Sequence, residues 1–187
     1  MNEPNEIPEK LKAVVDRELS AGEYIHWIEM PTPALFTPVS TGAFLFAIPW
    51  TAFAIFWICG ASGFKMPDFK EGFDFFPLFG VPFVLIGIGM LSSPLWAYRK
   101  SLKTLYVITN RRAITFEGGF TTTIRSYSPD KLQDIYRKEK RNGTGDVIFA
   151  RKAWRDSDGD QHTENLGFLR IRNPKDVEKQ LQKLASE

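Results

Sequence analysis

Arg111 and Arg112, directly after Asn110, are the residues of this sequence best suited to holding a charged ligand. Two guanidinium forks at a hairpin can grip a phosphate bidentately at headgroup level. The same pair has a structural alternative, in which Asn110 supplies the turn and the arginines pack on a strand face or against nearby acids. A second basic run, Arg137-Lys138-Glu139-Lys140-Arg141, has only Tyr136 for stacking and no recognition helix or RNA-binding aromatic pattern beside it. It reads as a solvated hairpin end that can touch lipid phosphates, and nucleic acid is not an expected partner.

Other candidate chemistry fails on spacing. Asp156-x-Asp158-x-Asp160 opens like a calcium loop, but the sixth position is Gln161 rather than glycine and the twelfth is Gly167 rather than glutamate. A hairpin turn is the expected outcome. His26 and His162 lie far apart with no carboxylate or thiol motif at ligand spacing, and Cys59 stands inside an apolar run. The chain has no nucleophile elbow, P-loop or dinucleotide fingerprint. The expectation is a protein without catalytic residues, metal or cofactor. A small membrane enzyme is the least favoured of three readings.

The elements that would position these residues follow from where the charges are absent. No Asp, Glu, Lys or Arg occurs from Met30 to Phe64 or from Phe75 to Tyr98. Crossing a hydrocarbon core takes about 20 apolar residues as a helix, which predicts spans at about 38–59 and 77–98. Pro49 and Pro94 predict a kink in each, while Ser92 and Ser93 are expected to bond back to their own helix. Gly87 and Gly89, with Ala43, Ala47 and Ala52 opposite, are small enough for close helix packing.

Orientation is read from the cations that flank the spans. Arg99, Lys100 and Lys103 follow the second span, whereas the connecting loop offers Lys65 and Lys70 against Asp68, Glu71 and Asp74. Both termini are therefore expected in the cytoplasm of a bacterial inner membrane, with Trp96 and Tyr98 at the headgroup level. The loop itself carries Phe69, Phe73, Phe75 and Phe76 as well as Phe64. It is expected to dip aromatic rings into the outer interface, or to meet a protein partner.

Ahead of the spans, Ile7, Leu11, Val14, Val15 and Leu19 share one helical face, opposite a face without basic excess. That argues for docking on protein rather than on anionic lipid. Glu23 to Glu29 reads as a strand. After the spans, short β-prone runs are divided by turn residues: 105–109, 113–117, 121–127, 132–139, 146–154 and 167–171. Asn173-Pro174 then opens a helix carrying Val177, Leu181 and Leu184 on one face. From Arg99 onward there are 19 basic against 12 acidic residues, a field suited to an anionic partner.

These C-terminal motifs resemble a known family. LYVITNRRAITFEGGF, the run ending Leu132-Gln133-Asp134-Ile135, the Asn142–Gly145 hairpin and the closing GFLRIRNPKDVEKQLQKL are similar to the bacterial pleckstrin-homology-like (PH-like) domains of membrane proteins. GEYIHW at 22–27 matches a stretch such proteins place before two hydrophobic spans. The resemblance implies a small β-sandwich or partly open barrel closed by a helix and used for binding or assembly, with no transferable phosphate signature.

The expected fold is thus a membrane α-helical hairpin plus an α+β or all-β PH-like domain. Its parts are residues 1–34, a helix and strand; 35–100, the hairpin; and 101–187, the cytoplasmic domain. The leading function is a membrane-anchored adaptor that binds a protein partner, itself or anionic headgroups. Arg99, Lys100, Lys103, Arg111, Arg112, Arg137 and Lys138 are its candidate contacts. The alternative is a subunit or assembly factor of a larger membrane complex, with the hairpin as interface.

Overall fold

The computed structural model describes residues 7–64, 77–119 and 121–186. The chain divides into two compact units, one formed by the N-terminal segment to Pro33 together with Lys100 onward, the other by Ala34–Arg99. The N-terminal segment is therefore not a region of its own. Strand β1 (Ile25–Glu29) pairs antiparallel with β2 (Thr104–Thr109), across some 75 residues of intervening chain. Its apolar residues find their partners there.

In the first unit, β1, β2, β3 (Ala113–Gly118) and β4 (Thr122–Tyr127) form a four-stranded antiparallel sheet in chain order. A second sheet holds β5 (Tyr136–Glu139), β6 (Thr144–Arg155) and β7 (Gln161–Arg172), and α5 (Pro174–Ser186) closes the chain. One core lies between the sheets and α5. Tyr106, Ile108, Phe149, Phe168, Ile171, Val177, Leu181 and Leu184 are buried in it, and Trp27 stacks on Phe168 at 5.5 Å. Of the expected forms, a bent antiparallel sheet, a partly open barrel or a small sandwich closed by a helix, the strands take the two-sheet one.

Every residue of β2 is buried, because its two faces meet different neighbours. Tyr106 and Ile108 enter the inter-sheet core, whereas Leu105 and Val107 join Ile114, Phe116 and Val15 in a second cluster. Val15 belongs to α1 (Glu9–Glu18), whose neighbours Leu11, Val14 and Leu19 cover the outer face of the sheet. A strand buried on both sides needs a continuous apolar run rather than alternation, which explains LYVI. The protein surface expected under the amphipathic helix is this chain's own sheet.

Two expected strands change length. Leu132–Ile135 is not extended: a short 3-10 turn at Pro129–Lys131 precedes it and Asp134 takes φ +50°, so β5 keeps only four residues. The β6–β7 hairpin is longer than its local signals, with twelve residues in each strand. At its tip, Asp156 Oδ1 accepts from the backbone N–H of Asp158 (3.1 Å) and Asp160 (3.0 Å), and Gly159 takes φ +89°. The acidic triplet shapes a turn.

The second unit is a helix pair. α2 (Pro38–Ala61) starts at Thr37, whose hydroxyl accepts from the N–H of Ser40 while the Ser40 hydroxyl accepts from the N–H of Thr37. It continues as one helix through Pro49. A 3-10 turn at Pro77–Gly80 leads to α3 (Val81–Leu91), which a 40° bend at Ser92 separates from α4 (Ser93–Ser101). The bend falls two residues before Pro94, whose missing N–H cannot continue the ladder of α3.

α2 is long and apolar enough to cross a membrane, and α3 with α4 passes the same test as one bent span. Only 11% of the most apolar stretch of α2 is buried, with Phe46, Phe53, Ile55 and Phe56 exposed. The core helix of a soluble protein would be mostly covered.

Candidate binding surfaces

Arg112 sits in the turn between β2 and β3, and its guanidinium is already occupied. Nε donates to Glu23 Oε1 (2.8 Å), Nη2 to Glu23 Oε2 (3.0 Å) and to the Glu18 carbonyl (2.9 Å), and Nη1 to Glu18 Oε1 (3.3 Å) and the Ser126 hydroxyl (2.9 Å). The Glu23 side chain is only 1% exposed. It also accepts from the Thr109 hydroxyl (2.8 Å) and the Ser20 N–H (2.9 Å). Hydrogen bonding by Arg112 outweighs desolvation and holds the Glu23 carboxyl down at about 2, while Glu23 raises Arg112.

The same turn is tied down by its neighbours. Asn110 Oδ1 accepts from the Tyr24 N–H (3.0 Å), and Thr109 Oγ1 accepts from the N–H of Arg111 (3.1 Å) and Arg112 (3.0 Å). Glu23 and Thr109, neither singled out by sequence reasoning, thus complete the arrangement. An acid followed by a strand, and a Thr-Asn-Arg-Arg turn, carry the signal only when read as a pair. Of the two readings of the arginine pair, packing against nearby acids is the one that describes Arg112, which is a structural clamp and not a free candidate contact, while Arg111 remains exposed.

The other candidate cations are scattered. Arg137 pairs with Glu178 of α5 and lies 3.4 Å from Glu139. Lys138 is exposed, its Nζ 6.0 Å from the centre of the Tyr136 ring. Lys100 Nζ is 3.1 Å from Glu117 Oε2. Arg99 and Lys103 are exposed. Lys103 lies where β2 begins and Arg111 beyond where it ends, so the structure does not gather these residues into one phosphate site.

At the end of β1, Glu29 accepts from the N–H of Arg172 (2.9 Å), and burial raises its carboxyl above the usual range. Burial likewise pushes the Tyr106 hydroxyl up to about 12. Among the described residues no cluster of His, Cys, Asp or Glu side chains is arranged to hold a metal ion.

Within the helix pair, Ser40, Ala47, Thr51 and Ala54 form the buried stripe of α2, and Gly87 is the buried residue of α3. A Cβ on Gly87 would fall 2.1 Å from Thr51 Oγ1. Gly89 and Ala52 are exposed, and a Cβ on Gly89 would meet nothing within 4 Å. Their assignment to helix packing is corrected, because they fall off the contact stripe. Gly80 takes the place instead, its Cβ position 2.3 Å from Ile58. Ser92 bonds back to Gly89 O (2.6 Å) as expected of its type, whereas Ser93 donates across to Ser40 O (3.1 Å). Trp96 is exposed, its Nε1 3.0 Å from Ser92 Oγ, and Tyr98 is exposed. Phe69, Phe73, Phe75 and Phe76 lie outside the described residues.

A family model described as "Bacterial PH domain" matches residues 42–185, most of the chain and all of β2–β7. No curated protein and no solved structure matches. The two-sheet sandwich with its closing helix agrees with the family match, and the fold suggests a binding or adaptor role.

Proposed function

Since the chain belongs to the bacterial PH domain family, we propose that it is a membrane-anchored adaptor whose helix pair fixes the sandwich at the cytoplasmic face of the inner membrane. One observation carries this: the apolar helices are spliced between two paired strands. Glu29 of β1 lies opposite Tyr106 of β2, so the chain leaves the sandwich and re-enters it at neighbouring points. An anchor held at both ends by one sheet limits how far the domain can stray. Any weak site on it then samples a thin layer at high effective concentration. The ligand is a protein partner, a second copy or anionic headgroups, and no reaction is assigned to the chain.

The direction of insertion is supported by Arg99, Lys100 and Lys103 beside the second span. Cysteine labelling tests it in a chain with Cys59 replaced by Ala. Lys103→Cys should react with an impermeant maleimide only after cells are opened, and Ser62→Cys in intact cells. Lys103 serves better than its neighbour Ser101, which is buried. Reaction of Lys103→Cys in intact cells, or release of the chain by alkaline carbonate, would remove the reading.

A second reading, a subunit or assembly factor of a larger membrane complex, is supported by one feature of the helix pair. Trp50, Phe53, Trp57, Phe79 and Phe83 line an open apolar cleft of about 260 Å³. Phe53→Ala with Phe83→Ala should shift a detergent-stable assembly on native electrophoresis if that cleft is an interface. An unchanged size would leave the adaptor reading alone.

A further inference from the structure

The second sheet carries cations on its outer face that the rest of the fold leaves unpaired. Arg137 lies opposite Val147, a residue of the inter-sheet core, so Tyr136 and Lys138, which alternate with it along β5, stand on the outer face. Arg151 of β6 reaches the same ring. Its guanidinium carbon lies 5.9 Å from the centre of Tyr136, and Lys138 Nζ lies 6.0 Å from that centre. At the β5–β6 turn, Lys140 and Arg141 are exposed. Among the described residues, the side chains of these four cations make no hydrogen bond or ion pair. The acids at hand are spent elsewhere: Asp146 Oδ1 accepts from the Arg170 N–H (2.8 Å), and Glu139 and Glu178 both face Arg137.

The hairpin is polarised along its length. At the far end of β6 the turn to β7 carries Asp156, Asp158 and Asp160, all exposed. The two turns are separated by the twelve residues of β6, ~35 Å of extended chain. That is several screening lengths at physiological salt, so each end acts on its own surroundings. At the basic end, Lys138 and Arg151 are held beside one ring, where two like charges repel unless an anion lies near both. They are exposed on a sheet face, whereas small-molecule sites are concave and enclose most of the ligand. Tyr136, already flanked by the two cations, is not a free stacking platform for a nucleotide base.

From this arrangement we propose that the outer face of β5 and β6 docks on the phosphates of an anionic lipid bilayer. Lys138 and Arg151 take phosphate oxygens beside Tyr136, which supplies an amphipathic ring of the kind found at headgroup level. Lys140 and Arg141 extend the positive field, and the acidic turn at 156–160 is repelled by the same surface and stays in solvent. The face therefore meets lipid by its β5–β6 end. The choice of lipid over a soluble anion rests on the anchored reading above, under which a tethered domain meets headgroups at a higher effective concentration than any free phosphate.

The test holds the full chain in nanodiscs of neutral phosphatidylcholine and adds sucrose-loaded vesicles of phosphatidylcholine with or without phosphatidylglycerol. The chain should sediment with the phosphatidylglycerol vesicles only, and less so as salt is raised. Lys138→Gln and Arg151→Gln should each weaken this about fivefold, the share of one basic residue at an anionic surface, and Lys138→Glu with Arg151→Glu should abolish it. Lys179→Gln, an exposed position on α5 that removes the same net charge, should change it less than twofold. Equal losses at Lys179 and Arg151, equal binding to neutral and anionic vesicles, or no sedimentation with phosphatidylglycerol would each overturn the proposal. So would displacement by millimolar glycerol phosphate, which marks a site for soluble phosphate, or an Arg151-dependent binding of polyglutamate that replaces the vesicle binding. Alkaline extraction of the same chain from cell membranes tests the anchor separately, so the two failures are distinguishable.

Discussion

Arg112 and Glu23, 89 positions apart in the chain, form a two-pronged ion pair in which Nε and Nη2 each meet one carboxylate oxygen. This contact fastens the segment before the apolar helices to the β2–β3 turn after them. Removing Arg112 leaves the Glu23 carboxylate, 1% exposed, without its charge partner, and stranding a buried charge typically costs about 3–5 kcal/mol. Arg112→Met should therefore lower the melting temperature of the full chain in mild detergent by many degrees. Arg112→Lys, which keeps the charge but loses the fork, should fall between. A melt of Arg112→Met within error of the parent would show that the clamp is not structural.

The same pair gives stability an acid limb of known sign. Glu23 titrates near 2 in the folded chain against 4.5 when free. Its contribution is complete above about 4.5 and is lost as pH falls toward 2, about 3 kcal/mol in all. Glu29 acts oppositely, because burial raises its carboxyl and protonation relieves the native state. Glu23→Gln should be less stable than the parent at pH 7, and the difference should shrink steadily between pH 4.5 and pH 2. Parallel stability curves over that range would rule the assignment out.

Much of the sandwich is legible locally. LYVIT and AITFE state short β-prone runs and Val177, Leu181 and Leu184 a helical face within a few residues, and each lies in the element expected of it. What local pattern cannot carry is pairing across distance. Glu23 has no partner to be read from until β1 is brought beside β2, and for the same reason local pattern leaves Arg112 open between holding a ligand and packing against an acid. The division of the strands into two sheets, and the bulge at His26, are likewise set by tertiary contacts. In the helix pair, Gly87 and Gly89 look alike in sequence. Only the rotation of α3 decides that the first is buried and the second exposed.

That rotation makes a prediction about the helix pair. Gly87→Ala would place a methyl carbon 2.1 Å from Thr51 Oγ1, so α2 and α3 must separate or twist. Overpacking of this kind costs typically about 1–3 kcal/mol. Gly89→Ala, open on the same helix, should be neutral or mildly stabilising through helix propensity. Thr51 Oγ1 has no hydrogen-bond partner among the described residues, so Thr51→Ala removes the clash without orphaning a donor. The double variant Thr51→Ala, Gly87→Ala should recover most of the loss in detergent melting. Failure of the second change to rescue the first would place the Gly87 constraint elsewhere.

Helix α1 is the last element whose role can be separated by one side chain. Val15 is buried against Leu105, Val107, Ile114 and Phe116, a face of the sheet that nothing else in the sandwich core covers. Trimming Val15 to Ala removes two methyl groups from that contact and should cost about 2 kcal/mol. Val15→Asp goes further, since its carboxylate would have no partner among those side chains and docking would have to be given up to solvate it. Undocked, α1 exposes the outer face of β2 and β3, loosens Glu18 and Glu23 from Arg112, and opens the segment to protease. Limited proteolysis of the full chain should then cut Val15→Asp before Ile25 at a rate many times that of the parent, with increased binding of a hydrophobic dye. Ala13→Gln, on the exposed side of the same helix, should behave as the parent does. Equal resistance of Val15→Asp and Ala13→Gln would mean that α1 is dispensable to the sheet.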